Sequence, residues 1–240
     1  MNESLSNPFG GRYWTALILA SVCGTNLGDF LPDILKLTPF AEAGAWVVLI
    51  GLSLAATTVS RMEALYWFAV LVLCSAGTSF ADLLVGDARL GFEAAGALLL
   101  GVMAFALLIR QATERNAASK ASPGFLFWVA FLAACALGTV LGDGIGHAFR
   151  SVKIGVPASA LMATLAMLVS IGVGSRLRWR VGFLFWVALV AARWWGTNVG
   201  DIAKFLAGAE VCIGVGVAAL IFVLILGRGA NRGRAPSLPA

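Results

Sequence analysis

Long apolar runs separated by short polar breaks dominate the chain. Stretches without a charged residue cover 13–28, 43–60, 64–81, 94–109, 121–142, 154–175 and 211–227, and an eighth, 181–200, is interrupted only by Arg193. A membrane-crossing helix needs about 20 mostly apolar residues, within a range of about 17–25. With their flanks, all eight stretches fit. Lipid offers backbone N–H and C=O groups no partner, so each run is predicted to be a helix that satisfies its own hydrogen bonds. The expectation is an all-α integral membrane fold of eight transmembrane helices. The longest connections are the N-terminal dozen residues, 110–123 and the tail from 228, so no soluble domain fits. One membrane domain should span 1–240, ending in a cytoplasmic tail at 229–240.

Four segments align without gaps: YWTALILASVCGTNLGD from Tyr13, YWFAVLVLCSAGTSFAD from Tyr66, FWVAFLAACALGTVLGD from Phe127 and FWVALVAARWWGTNVGD from Phe185. Each leads through an outer loop into a second apolar helix that ends in a basic residue: Arg61, Arg110, Arg176 or Arg228. Self-similarity of this kind points to repeated structural units. The expected repeats are 13–61, 66–110, 127–176 and 185–228. Two spans per unit give all four the same orientation, so they should be related by an axis near the membrane normal rather than by inverted symmetry.

At about 100° per residue, the Trp, the seventh residue after it, the Gly-Thr pair, the second small residue and the Asp share a stripe about 140° wide. That stripe should face the bundle. Gly24/Gly28, Gly77/Ala81, Gly138/Gly142 and Gly196/Gly200 have the spacing that lets helices approach closely. Thr25, Thr78, Thr139 and Thr197 either bond back to their own helix or line a pathway. Trp14, Trp67, Trp128 and Trp186 are either an interfacial aromatic belt or a ring around an inner vestibule. Asp29, Asp82, Asp143 and Asp201 lie 15 positions after the Trp, about 22 Å along a straight helix. An acid at a helix centre in a membrane costs about 2.5–3.5 kcal/mol even by low estimates, and packing alone needs none. The plain alternative is that the aspartates merely end their helices at the outer interface. Glu42, Glu93 and Glu210 suit helix N-termini through the dipole, and they could also enrich cations at an outer mouth. His147 reads as an outer-loop residue rather than a metal ligand.

Arg193 takes the seventh position after its Trp, where the other units have Ser21, Cys74 and Cys135. Helical side chains lean toward the N-terminus. Arg193 is therefore expected to reach away from the aspartates toward the tryptophan layer, as a snorkelling anchor or as a cytoplasmic-side barrier to cations.

Composition agrees with the membrane reading: 60% of residues are hydrophobic and 12% charged, too few charges for an ordinary soluble surface. The net charge of +5 does not require nucleic acid as a partner. With the N-terminus in the cytoplasm, Arg12, Arg61, Arg110, Arg115, Lys120, Arg176, Arg178, Arg180, Arg228, Arg232 and Arg234 fall inside. Only Lys36, Arg89, Arg150, Lys153 and Lys204 fall outside. That bias places both termini in the cytoplasm. Residues 1–20 could imitate a signal peptide, but their apolar run is the first copy of the repeat, so cleavage is not expected. Cys23, Cys74, Cys135 and Cys212 lie within apolar stretches and read as small core residues.

The four motif copies resemble a bacterial family described only as membrane-anchored proteins, built from four tandem repeats of unknown function. Each family repeat has two transmembrane segments and a characteristic Trp, matched here by Trp14, Trp67, Trp128 and Trp186. The resemblance covers about 13–228. It implies a multi-pass protein of the bacterial inner membrane and implies no activity.

Function then rests on the motif. Four convergent Asp and Thr side chains would supply oxygen ligands suited to divalent ions such as Mg²⁺ or Mn²⁺. A cation transporter or channel is the expected function, with those aspartates as the metal-binding hypothesis and Arg193 and the tryptophans in the pathway. Small organic cations are an alternative, held by aromatic rings near carboxylates. A non-transporting binding or assembly protein is another. An enzyme is not expected, since no Ser-His pair, HExxH or paired-histidine site is present. No cofactor is implied. The expected partners are the lipid bilayer and the cation, with homo-oligomerisation left open.

Overall fold

The structure is a computed structural model that describes residues 10–60, 62–114, 124–177 and 182–230, without the side chains of 227–230. Arg61, Arg115, Lys120, Arg178, Arg180, Arg232 and Arg234, counted above for topology, lie outside the described residues, as does 231–240 of the tail.

The apolar runs fold as eight helices among the described residues: α1 (Gly11–Leu35), α2 (Pro39–Val59), α3 (Glu63–Asp82), α4 (Gly91–Glu114), α5 (Phe125–His147), α6 (Val152–Arg176), α7 (Gly182–Ala207) and α8 (Ala209–Ala230). Local chemistry sets the corners. Thr38 caps α2 by accepting from the Ala41 N–H at 3.4 Å, with Pro39 just inside the helix. Gly208, at φ +84°, joins α7 to α8 in a conformation open to glycine without strain. Glu42, Glu93 and Glu210 lie in the first turns of α2, α4 and α8.

Among the described residues, seven helices are long and apolar enough to cross a membrane, and α7 falls short. It carries Arg193, Asp201 and Lys204 on one helix, together with the polar Asn198. The chain is thus built as a multi-pass membrane protein. Its outer surface agrees: Val47, Leu52, Leu100, Phe105, Leu165, Leu168, Phe222 and Ile225 are all exposed. Apolar faces of that extent need lipid or a partner rather than water.

Helices α1, α3, α5 and α7 pack in a closed ring, each against the next and α7 against α1. The other four pack outside: α2 on α3, α4 on α5, α6 on α7 and α8 on α1. Glycines set the inner spacing. A Cβ on Gly24 would overlap Cys74, one on Gly77 would overlap Cys135, one on Gly138 would overlap Arg193, and one on Gly196 would overlap Ser21. The first glycine of each motif therefore sits on the seventh-position residue of the next helix around the ring. Gly28, Gly142 and Gly200 meet Thr78, Thr197 and Thr25 one turn further on.

The helices α1, α5 and α7 continue past Asp29, Asp143 and Asp201, and α3 runs into a π-helical turn at Leu83–Asp87. The reading that these aspartates end their helices is thereby corrected. His147 is likewise the last residue of α5 rather than a loop residue, exposed and stacked on Phe92, with its Nδ1 2.8 Å from the Asp143 carbonyl.

Candidate functional site

The inner ring carries three layers along its axis. At the end where α1, α3, α5 and α7 begin, aromatic rings interlock around the circle. Tyr13 packs on Trp67, Tyr66 on Trp128, Phe127 on Trp186 and Phe185 on Trp14, with centroids 5.4, 5.7, 5.5 and 6.2 Å apart. The four tryptophans are only 4–7% exposed. They therefore face the ring rather than the surroundings, and none of them lines the cavity described below. Their partners are the aromatic residues that precede each Trp. The alignment displayed those residues, but they drew no role there. Arg12 fastens this end, bonding Glu63 at 2.8 Å and the Val223 and Leu224 carbonyls.

The second layer is Arg193, fully buried. Its guanidinium donates to the Ser21 carbonyl (2.9 Å), Ser21 Oγ (3.2 Å), Thr78 Oγ1 (3.1 Å), Thr139 Oγ1 (3.0 Å) and the Cys135 carbonyl (3.5 Å). Five donors thus meet five acceptors. The side chain reaches across the axis to the threonines and not, as expected, toward the tryptophans. The lean of helical side chains sets a bias of direction, and here the polar groups of three other helices outweigh it. Burying an ion costs several kcal/mol even in relaxed proteins, and no carboxylate pairs with Arg193 among the described residues. The charge-assisted hydrogen bonds are what offset that cost.

Above Arg193 lie the threonines. Each donates back to the carbonyl four residues earlier: Thr25 to Ser21, Thr78 to Cys74, Thr139 to Cys135 and Thr197 to Arg193. Each also lines a cavity of about 420 Å³ that extends past the aspartates to the exposed Asp33. The two roles weighed for these residues therefore coexist. Asp29, Asp82, Asp143 and Asp201 form the cavity wall, joined by Asp33 and Glu42. The structure brings together the four aspartates and four threonines that the motif singled out.

Two corrections concern what this cavity can hold. Among the described residues, no three His, Cys, Asp or Glu side chains are placed to hold one metal ion. The four aspartates surround a space rather than forming a direct coordination shell. No aromatic residue is in the lining either, which removes the cation–π argument for organic cations.

Sequence reasoning counts Lys204 among the outer cations and gives it no partner. The helix continues to Ala207, and Lys204 Nζ reaches Asp29 Oδ2 at 2.9 Å. A second fastening also went unseen. Ser159 of α6 donates to the Gly142 carbonyl and accepts from Trp194 Nε1 and Asn198 Nδ2.

A family model described as Repeat of Unknown Function (DUF347) matches residues 12–63, the stretch that forms α1 and α2. No curated protein and no solved structure matches the chain.

Proposed function

We propose that the chain is a membrane transporter for a cation, with a hydrated divalent ion of the Mg²⁺ or Mn²⁺ type as cargo. The observation that carries this reading is the cavity walled by four motif aspartates and floored by four motif threonines. Carboxylate and hydroxyl oxygens suit hard divalent ions, which keep much of their water. Six waters at about 30 Å³ each occupy about 180 Å³, well within the 420 Å³ available. An ion that keeps its shell needs surrounding acceptors rather than a tight cage, which agrees with the spread of the aspartates.

The wider architecture is part of the same proposal. Four tandem two-helix units, the first of them the matched 12–63, surround an axis near the membrane normal. The helix α7 is the eighth span, tolerated because its charged face is enclosed by α1 and α5. The positive-inside bias favours cytoplasmic termini and an outward cavity mouth, and the family resemblance favours a bacterial inner membrane. Beyond the threonines, Arg193 and the interlocked aromatic rings close the axis. A closed axis with a cavity on one side favours a transporter over an open pore.

Titration of the purified chain with Mn²⁺ tests the reading. Wild type should bind, and Asp143→Asn and Asp201→Asn should bind more weakly with unchanged thermal unfolding. Equal binding by wild type and a variant with all four aspartates changed to Asn would sink the idea.

A further inference from the structure

Lys204 is the one cation among the described residues that line the acidic cavity. The positions three residues past Asp29, Asp82 and Asp143 hold Pro32, Val85 and Gly146, so a single unit supplies an ammonium. Its Nζ sits 2.9 Å from Asp29 Oδ2, whereas Asp82, Asp143 and Asp201 have no ion-pair partner among the described residues. The cavity thus already holds one cation, tethered to α7. The paired side chains are 40% and 22% exposed. Pairs that open to solvent are weak and break readily, and the flexible lysine stem lets the ammonium swing outward.

We propose that Lys204 is a built-in competitor for the cation site. Its ammonium covers Asp29 when the cavity is empty and leaves when a free cation enters. Bound cargo then faces the repulsion of a nearby positive charge, and returning Lys204 to Asp29 helps expel it. Lys204 in this way sets how tightly the site holds a cation and how fast the cation departs. The inference rests on the cation reading given above.

The test is Mn²⁺ titration of the full chain in detergent, with thermal unfolding followed in parallel. Lys204→Met and Lys204→Gln should each tighten binding about tenfold, the scale of removing one unit charge from a partly solvated site. Lys204→Arg should bind like wild type. Adding Asp29→Asn to Lys204→Met should cancel most of the gain, because the freed carboxylate is its source. If Lys204→Met and Lys204→Gln bind no tighter than wild type while Asp201→Asn weakens binding, Lys204 is only a helix fastening and the cation reading stands. If neither wild type nor Lys204→Met binds Mn²⁺, both inferences fall together.

Discussion

Replacing Arg193 by Met removes a charge from the axis while keeping an unbranched apolar side chain, shorter than Arg by about two atoms. The guanidinium Nη2 lies 3.0 Å from Thr139 Oγ1 and 3.1 Å from Thr78 Oγ1. A cation held by either hydroxyl at about 2.0–2.6 Å would then lie about 5 Å from that nitrogen. At that distance, with an effective dielectric of about 20, the repulsion is about 3 kcal/mol per unit charge. Since about 1.4 kcal/mol is a factor of ten, that repulsion corresponds to about 100-fold slower passage of a monovalent ion past this point. Folding should suffer less than this burial suggests. Thr78 and Thr139 keep their bonds to the Cys74 and Cys135 carbonyls. The cost of desolvating the charge also disappears, and apolar replacement of buried ions is often neutral. Arg193→Met in liposomes should leak monovalent cations about 100-fold faster than wild type. Arg193→Lys keeps the charge, so its leak should stay low. It offers three donors where five are used, so its unfolding midpoint should fall. A folded Arg193→Met variant with wild-type leak would refute the barrier argument.

Two further outcomes follow from the packing and the charge bias. Gly24→Ala and Gly138→Ala place a Cβ against Cys74 and Arg193, and should each lower stability by about 1–3 kcal/mol. Gly101→Ala, with nothing within 4 Å, should be neutral or slightly stabilising in the same unfolding assay. A reporter fused to the C-terminus should be active only when it requires the cytoplasm, and activity of an exported-only reporter there would overturn the proposed orientation.

The motif made one layer of this molecule legible and left its neighbours obscure. Spacing alone put Gly24, Thr25 and Asp29 on one face, because helical geometry relates residues of a single helix. It could not say that Gly24 rests on Cys74 or Gly196 on Ser21, since those contacts depend on how the ring closes. Arg193 shows the same limit. Its local lean was readable, but its partners come from α1, α3 and α5, and they reverse its direction. The stripe places the tryptophans inward, but their packing partners Tyr13, Tyr66, Phe127 and Phe185 come from adjacent helices and cannot be read from spacing. The Lys204–Asp29 pair is hidden for a different reason. The apolar run ends before Asp201, but backbone hydrogen bonding carries the helix through the charged turn to Ala207.

Uptake of Mn²⁺ into liposomes bearing the purified chain tests the central claim most directly. Wild type should accumulate the ion down an imposed gradient at a rate that saturates with Mn²⁺. The variant carrying Asn at Asp29, Asp82, Asp143 and Asp201 should fall to the rate of empty liposomes while keeping its unfolding midpoint. Equal uptake by the two proteins, or no uptake above empty liposomes by folded wild type, would contradict the account.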